Sequence, residues 1–262
     1  MDMKRDWHNE EFRILVTIGE STTAGGWSSS RERCWASRLA ALVSDVQSQP
    51  VKLVNSGIGA NVISTRSPSY EVSGKPAASE RLEKHVIAHR PDLLVISYGL
   101  NDARGGTPPG LFVEEMEAII ERVRAKCRPL IVLPGPYFMT DFALGAKNWS
   151  HASLDKLWAF NDLISGVARA KDCLFANLLT VYDGAEWMVH NDGVHANDLG
   201  HLAVANRIFE VLAQNCSGLA KHTREKEKEI PPWRDESTLS ADYGYVLPGK
   251  AAPKRPSKAH EQ

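Results

Sequence analysis

The sequence has almost no net charge, with 31 lysines and arginines against 32 aspartates and glutamates. Without a basic excess there is no electrostatic footprint for nucleic acid or an anionic membrane, so neither is expected as a partner. No apolar stretch approaches the roughly 20 residues of a membrane span. The opening Met1-Asp2-Met3-Lys4-Arg5-Asp6-Trp7-His8 lacks the apolar centre of a secretory signal, so a cytoplasmic location is expected. Cysteine is scarce: Cys34, Cys127, Cys173 and Cys216 are widely spaced and form no C-x-x-C pair. That argues against a zinc knuckle and for reduced, mostly buried thiols. Internal repeats are also absent. What the chain has is apolar material, 43% of 262 residues, enough for one large α/β domain with or without a tail.

Five short apolar runs rich in β-branched residues recur: Phe12–Ile18, Val51–Asn55, Asp92–Tyr98, Pro129–Pro134 and Cys173–Asn177. Continuous runs of this length suit strands buried on both faces, as in a parallel sheet. Helical patterns follow each of them, near Glu32–Ser48, Ala77–His89, Phe112–Cys127, Ala152–Lys171 and Asn197–Asn215. Alternating strand and helix implies right-handed crossovers and a doubly wound α/β sheet covered on both faces. Composition shifts after about Ser217, which divides the chain into a domain at 1–217 and a charged, proline-rich extension at 218–262. Mixed charge over Lys221–Glu229 favours an extended or disordered tail. Trp233, Tyr243, Tyr245 and Val246 favour instead a tail pinned to its own domain or to a second subunit, so the oligomeric state stays open.

Chemistry gathers at strand ends. Ser21 follows the first run, the Asn55–Asn61 loop follows the second, and Tyr98-Gly99-Leu100-Asn101-Asp102 closes the third. In an open parallel sheet these loops meet at one crevice if the strand order is 2-1-3-4-5. The Asp192-Gly193-Val194-His195 loop must fold back to join them. A serine hydroxyl attacks only when a base takes its proton. His195 is the candidate base, and Asp192 the carboxylate that orients it. The Ser21 N–H, a glycine-loop N–H and the Asn101 amide can supply oxyanion donors. Taken singly, each segment is ordinary turn or cap chemistry. Asn197 or Asp198 serves as a cap for the last helix, and His201 reads as a helix-face residue. Four segments in one consistent order carry the catalytic reading.

This set resembles the SGNH hydrolase superfamily, the GDSL-type esterases and lipases. Gly19-Glu20-Ser21 matches its first block with Glu in place of the usual Asp. Gly99-Leu100-Asn101-Asp102 and Asp192-Gly193-Val194-His195 match the third and fifth in full. The second block, usually Asn-x-Gly-x-x-Gly, reads Asn55-Ser56-Gly57-Ile58-Gly59-Ala60-Asn61. Direct register puts Ala60 at the oxyanion glycine, and a one-residue shift gives the role to Gly59, which we favour. The resemblance spans Phe12 to Cys216. It implies a three-layer α/β/α sandwich on a flavodoxin-like sheet, and ester hydrolysis through an acyl-serine without metal or cofactor.

Substrate choice then falls to the loops. Arg104 and Arg66 are expected near the crevice and suit an anionic group. Trp27, Tyr137, Phe138, Trp149 and Trp187 are candidates for an acyl pocket or sugar platform. With no apolar lid helix evident, a small or short-acyl ester, such as an O-acetyl group, is favoured. Transfer of the acyl group to another alcohol uses the same site and stays open. A metal hydrolase built on His190, Asp192, His195 and His201 is the other alternative, although its spacing is not His-Glu-x-x-His and it leaves Ser21 and Asn101 unexplained. A conventional α/β-hydrolase needs Gly-x-Ser-x-Gly, which does not occur.

Overall fold

The computed structural model describes residues 4–229. Contacts divide the chain into a compact unit from Met1 to His222 and a second unit from Thr223 onward. The aromatic residues of the tail, from Trp233 to Tyr245, lie outside the described residues.

In the first unit, strands β1 (Ile14–Gly19), β2 (Lys52–Gly57), β3 (Leu93–Ser97), β4 (Leu130–Pro134) and β5 (Leu174–Ala176) form one sheet in the order β2-β1-β3-β4-β5. Every neighbouring pair runs parallel. The longer helices are α2 (Trp35–Asp45), α4 (Ala78–His85), α6 (Pro109–Arg124), α7 (Leu154–Ala170) and α9 (Asp198–Asn215). Between them sit short ones: α1 (Ser21–Ala24), α3 (Tyr70–Ser73), α5 (Leu100–Arg104) and α8 (Leu179–Tyr182). Helix α2 packs on α9, while α4 packs on α6 and α6 on α7. With right-handed crossovers, these two groups cover opposite faces of the sheet.

Burial explains why the central strands show no alternation. Every residue of β3 and β4 is buried, as is β1 beyond Ile14, so both faces demand apolar side chains. Edge strand β2 is only half-buried and carries Lys52, Asn55 and Ser56. Helix α6 begins at Pro109 rather than Phe112. A proline fits the first helical position, where its missing N–H has no intrahelical partner. Its buried stripe of Phe112, Met116, Ile119, Ile120 and Val123 follows the helical period. The four cysteines are free, with Cys34, Cys173 and Cys216 buried.

Two features of this frame bear on the site. A side chain at Gly57 would strike the backbone of Thr23 and Ala24, so glycine here lets β2 lie directly against α1. The buried Gln47 amide meanwhile accepts from Phe12 N–H at 2.7 Å and donates to Phe12 C=O at 2.9 Å, anchoring the chain just before β1.

Candidate active site

Ser21 is the first residue of α1, two residues beyond the end of β1. A first-turn N–H has no intrahelical acceptor, so the turn that exposes the hydroxyl also frees a donor beside it. The Ser21 Oγ lies 2.8 Å from His195 Nε2, and His195 Nδ1 lies 2.5 Å from Asp192 Oδ2. A carboxylate only accepts, so Nδ1 carries the proton and Nε2 turns its lone pair toward the serine. The other carboxylate oxygen, Oδ1, accepts the N–H groups of Val194 and His195, each at 3.0 Å, which fixes the pair rigidly within one turn.

The fold-back of this loop has visible causes. Val189 and Ala196 form an isolated bridge, and His190 N–H donates to His195 C=O at 2.7 Å. The N–H groups of Thr140 and Asp141 donate to Gly193 C=O at 2.7 and 2.9 Å. Gly193 itself has φ +71°, and a side chain there would collide with Asp141. Burial pushes the His195 imidazole below its ordinary pKa, with the Asp192 hydrogen bond and charge opposing. For Asp192 burial works upward, but N–H bonds from His195 and Val194 and the ring itself bring the carboxyl net below its usual range. The pair thus rests as a neutral imidazole beside an ionised carboxylate, the state a general base requires.

Facing Ser21 is Asn101, on α5. Its Nδ2 donates to Asn61 C=O at 3.1 Å, and its Oδ1 accepts from Arg104 Nη1 at 3.3 Å. The guanidinium therefore fixes which end of the amide is nitrogen and leaves its second N–H free to donate. Asn61 is set by the buried Arg81, which reaches Asn61 Oδ1 at 3.0 Å, Ser56 C=O at 2.6 Å, Gly19 C=O at 3.1 Å and Tyr98 Oη at 2.7 Å. Beneath them the Glu20 carboxylate oxygen Oε1 accepts the N–H groups of Gly99 at 3.1 Å and Asn101 at 2.9 Å. The longer side chain at the family's aspartate position thereby ties the serine's own turn to the start of α5. Burial, then Asp102, pushes Glu20 well above the ordinary carboxylate range, and burial raises Asp102 to about 6.

Ser21, Gly59, Ala60, Asn101, Arg104 and His195 all line one cavity of about 570 Å³, together with Trp27, Ile58, Lys75 and Trp149. Ala60 has φ +54°, a conformation that favours glycine, whereas Gly59 is not among the positive-φ residues and has open space around its Cα. Trp27 stacks on His195, with ring centroids 3.6 Å apart and planes 9° from parallel. Its φ of +67° is strained for a bulky residue. Asp198 accepts from Ser29 N–H at 2.8 Å, Ser29 Oγ at 2.6 Å and Arg33 at 3.0 Å, while His201 Nε2 lies 3.4 Å from Gly26 C=O. The first turn of α9 thus holds Trp27 over the imidazole, and Asn197, not Asp198, caps that helix.

Other expectations fare differently. Arg66 lies outside the cavity lining and pairs with Glu114 and Glu115. Tyr137 is buried against Ser97, Phe138 lines a separate cleft with Trp158, and Trp187 is exposed on the surface. The four residues of the metal alternative do not converge: His201 is buried and accepts from Trp35 N–H at 3.3 Å. Among the described residues no group of three or more His, Cys, Asp or Glu is arranged to hold a metal. Among them, too, no helix is long and apolar enough to cross a membrane. Sequence reasoning missed Trp27 as the imidazole's neighbour, Glu20 as the cap of α5, Arg81 and Lys75.

Comparison with known proteins agrees with this frame. No curated protein matches by sequence. Among solved structures, an acetylxylan esterase from Geobacillus stearothermophilus superposes with a TM-score of 0.58 at 16% identity, covering 78% of this chain and 95% of that one. A two-domain esterase active on acetylated mannans gives 0.56 at 21% identity over 77% of this chain and 49% of that one. An α/β hydrolase from the metagenome of Lake Arreo, Spain, gives 0.58 at 18% identity, over 80% and 96%. At such identities the likeness is one of fold. The model of the GDSL-like lipase/acylhydrolase family matches residues 17–203, from the end of β1 into α9, and the chain belongs to that family of carboxylic ester hydrolases.

Proposed function

We propose that the protein is a serine esterase that removes a short acyl group, such as acetyl, through an acyl-serine intermediate. The observation that carries this is the continuous relay from Ser21 through His195 to Asp192, at 2.8 and 2.5 Å. In acylation His195 takes the hydroxyl proton as Ser21 Oγ attacks the ester carbonyl. The imidazolium is stabilised by Asp192 below and the Trp27 face above. It then returns the proton to the departing alcohol, and water repeats the cycle on the acyl-serine. The oxyanion is held by the Ser21 N–H, the Asn101 side chain and the Gly59 N–H. Gly59 is assigned because it lines the cavity beside Ser21 and Asn101 and the space on the side-chain face of its Cα is open.

Acyl length follows from the lining. Among the described residues Ile58 and Ala60 are its only aliphatic side chains and Trp27 and Trp149 its aromatic ones, a wall that suits a short acyl group better than a long aliphatic chain. Across p-nitrophenyl acetate, butyrate and octanoate, kcat/KM is expected to fall about tenfold or more. Acetate release from acetylated xylo-oligosaccharides, on which the esterase neighbours bear, is the companion assay. A rate that climbs with chain length contradicts the short-acyl assignment.

Asn101→Ala is expected to lower kcat by about 100- to 1,000-fold with little change in KM, because the amide acts on the developing oxyanion. Steady-state kinetics on p-nitrophenyl acetate checks that split. The pH profile supplies another test. Because His195 titrates below its ordinary value of 6.5, its neutral form persists to lower pH. The acid limb of kcat/KM is therefore expected to have its midpoint below 6.5, with activity falling only as pH drops through it. A midpoint above that value contradicts the burial argument.

A further inference from the structure

The cavity over Ser21 has a charge character that the relay does not require. Among the described residues its wall contributes two cations, Lys75 and Arg104, and no carboxylate. Among the described residues neither Lys75 nor Arg104 appears in any ion pair. Arg104 is only 8% exposed, and its Nη1 and Nη2 donate to the neutral oxygens of Asn101 and Leu144 at 3.3 and 2.8 Å. Its buried Nε–H has no acceptor at all. A guanidinium withdrawn from water and given only neutral partners is held at a cost in free energy. The charges of Glu20, Asp192 and Asp141 act on it through space and offset part of that cost, but burial outweighs them and none of the three accepts a hydrogen bond from it.

An anion in the cavity relieves this cost: Arg104 supplies a charge buried within the wall, and Lys75 one on an exposed stem. The remaining wall suits a sugar. Trp27 and Trp149 present aromatic surface of the kind on which the C–H face of a pyranose packs, and Arg104 sits 5.9 Å over the Trp149 ring. About 570 Å³ accommodates one or two sugar rings.

We propose that this cavity selects a carbohydrate ester that bears an anionic group, carboxylate or phosphate, held by the charges of Lys75 and Arg104. The reaction rests on the esterase reading above, but the binding does not.

The test is a calorimetric titration of the wild-type protein with glucuronate, glucose 6-phosphate and methyl glucoside, none of which it can turn over. At least one anionic sugar is expected to bind about tenfold or more tighter than the neutral glycoside, and more weakly as salt rises. The tighter anion tells a uronate from a sugar phosphate. Lys75→Gln and Arg104→Gln are each expected to weaken anion binding about fivefold or more while leaving the neutral sugar's affinity less changed. Lys75 is a surface residue, so its variant reports even where the buried Arg104 variant folds poorly. Equal affinity for charged and neutral sugars, no binding of either anion, or an anion preference that survives Lys75→Gln intact overturns the proposal. Failure of Ser21-dependent ester hydrolysis would instead sink the esterase reading and leave the result of this titration standing.

Discussion

Replacing Ser21 by alanine is expected to lower kcat/KM for p-nitrophenyl acetate by roughly 10⁴- to 10⁶-fold while the fold survives. Ser21 Oγ is the hydroxyl in contact with the basic nitrogen of His195, and the nearby Thr22 and Thr23 hydroxyls are buried within α1. Among the described residues the cavity lining holds no other hydroxyl or thiol that could present itself to that base. The structural loss is small: one hydrogen bond to a neutral imidazole, worth about 1 kcal/mol. Helix α1 keeps its backbone bonds from Thr23 and Ala24 N–H to Glu20 C=O, at 3.1 and 2.9 Å. Thermal unfolding should therefore shift by no more than a few degrees while turnover vanishes. Hydrolysis within tenfold of wild type would place the chemistry elsewhere.

Those same residues show what a sequence makes visible. The strands of the sheet were legible because β3 and β4 are buried on both faces, and two-sided burial leaves unbroken runs such as Leu93–Ser97. Asp192 and His195 were legible because their coupling is local: three residues of spacing and two backbone bonds to one carboxylate set it. The short helices α1, α3, α5 and α8 span four or five residues, too few for a helical period to register. Trp27 illustrates a different barrier. Its place over His195 depends on Asp198 and His201 holding residues 26–33 from the far end of the chain, contacts with no local pattern. Arg66 and Lys75 make the same point in reverse. Both are basic loop residues, yet Glu114 takes one away from the crevice while the other faces it without an ion pair among the described residues. Charge alone carries no address. The change from Gly to Ala at position 60 was visible as a departure, but its left-handed backbone belongs to the folded loop.

Asp192→Asn is the substitution that separates orientation from charge, and it is expected to lower kcat by about 10⁴-fold with little loss of stability. An asparagine at this position keeps one carbonyl oxygen, which can go on accepting the Val194 and His195 N–H groups that Oδ1 accepts now. Its amide nitrogen then faces His195 Nδ1, where the wild-type protein has a carboxylate oxygen at 2.5 Å. A donor there selects the other tautomer, with the proton on Nε2 and no lone pair toward Ser21 Oγ. The base is blocked, although every atom stays near its present place. The Trp27 stack and the oxyanion donors are untouched, so substrate affinity should be nearly unchanged and the loss confined to kcat. Steady-state kinetics, with ring ¹⁵N NMR of His195 to read the protonated nitrogen, checks both halves of the argument. An Asp192→Asn protein that retains a tenth or more of wild-type kcat would show that His195 does not depend on this carboxylate for its orientation.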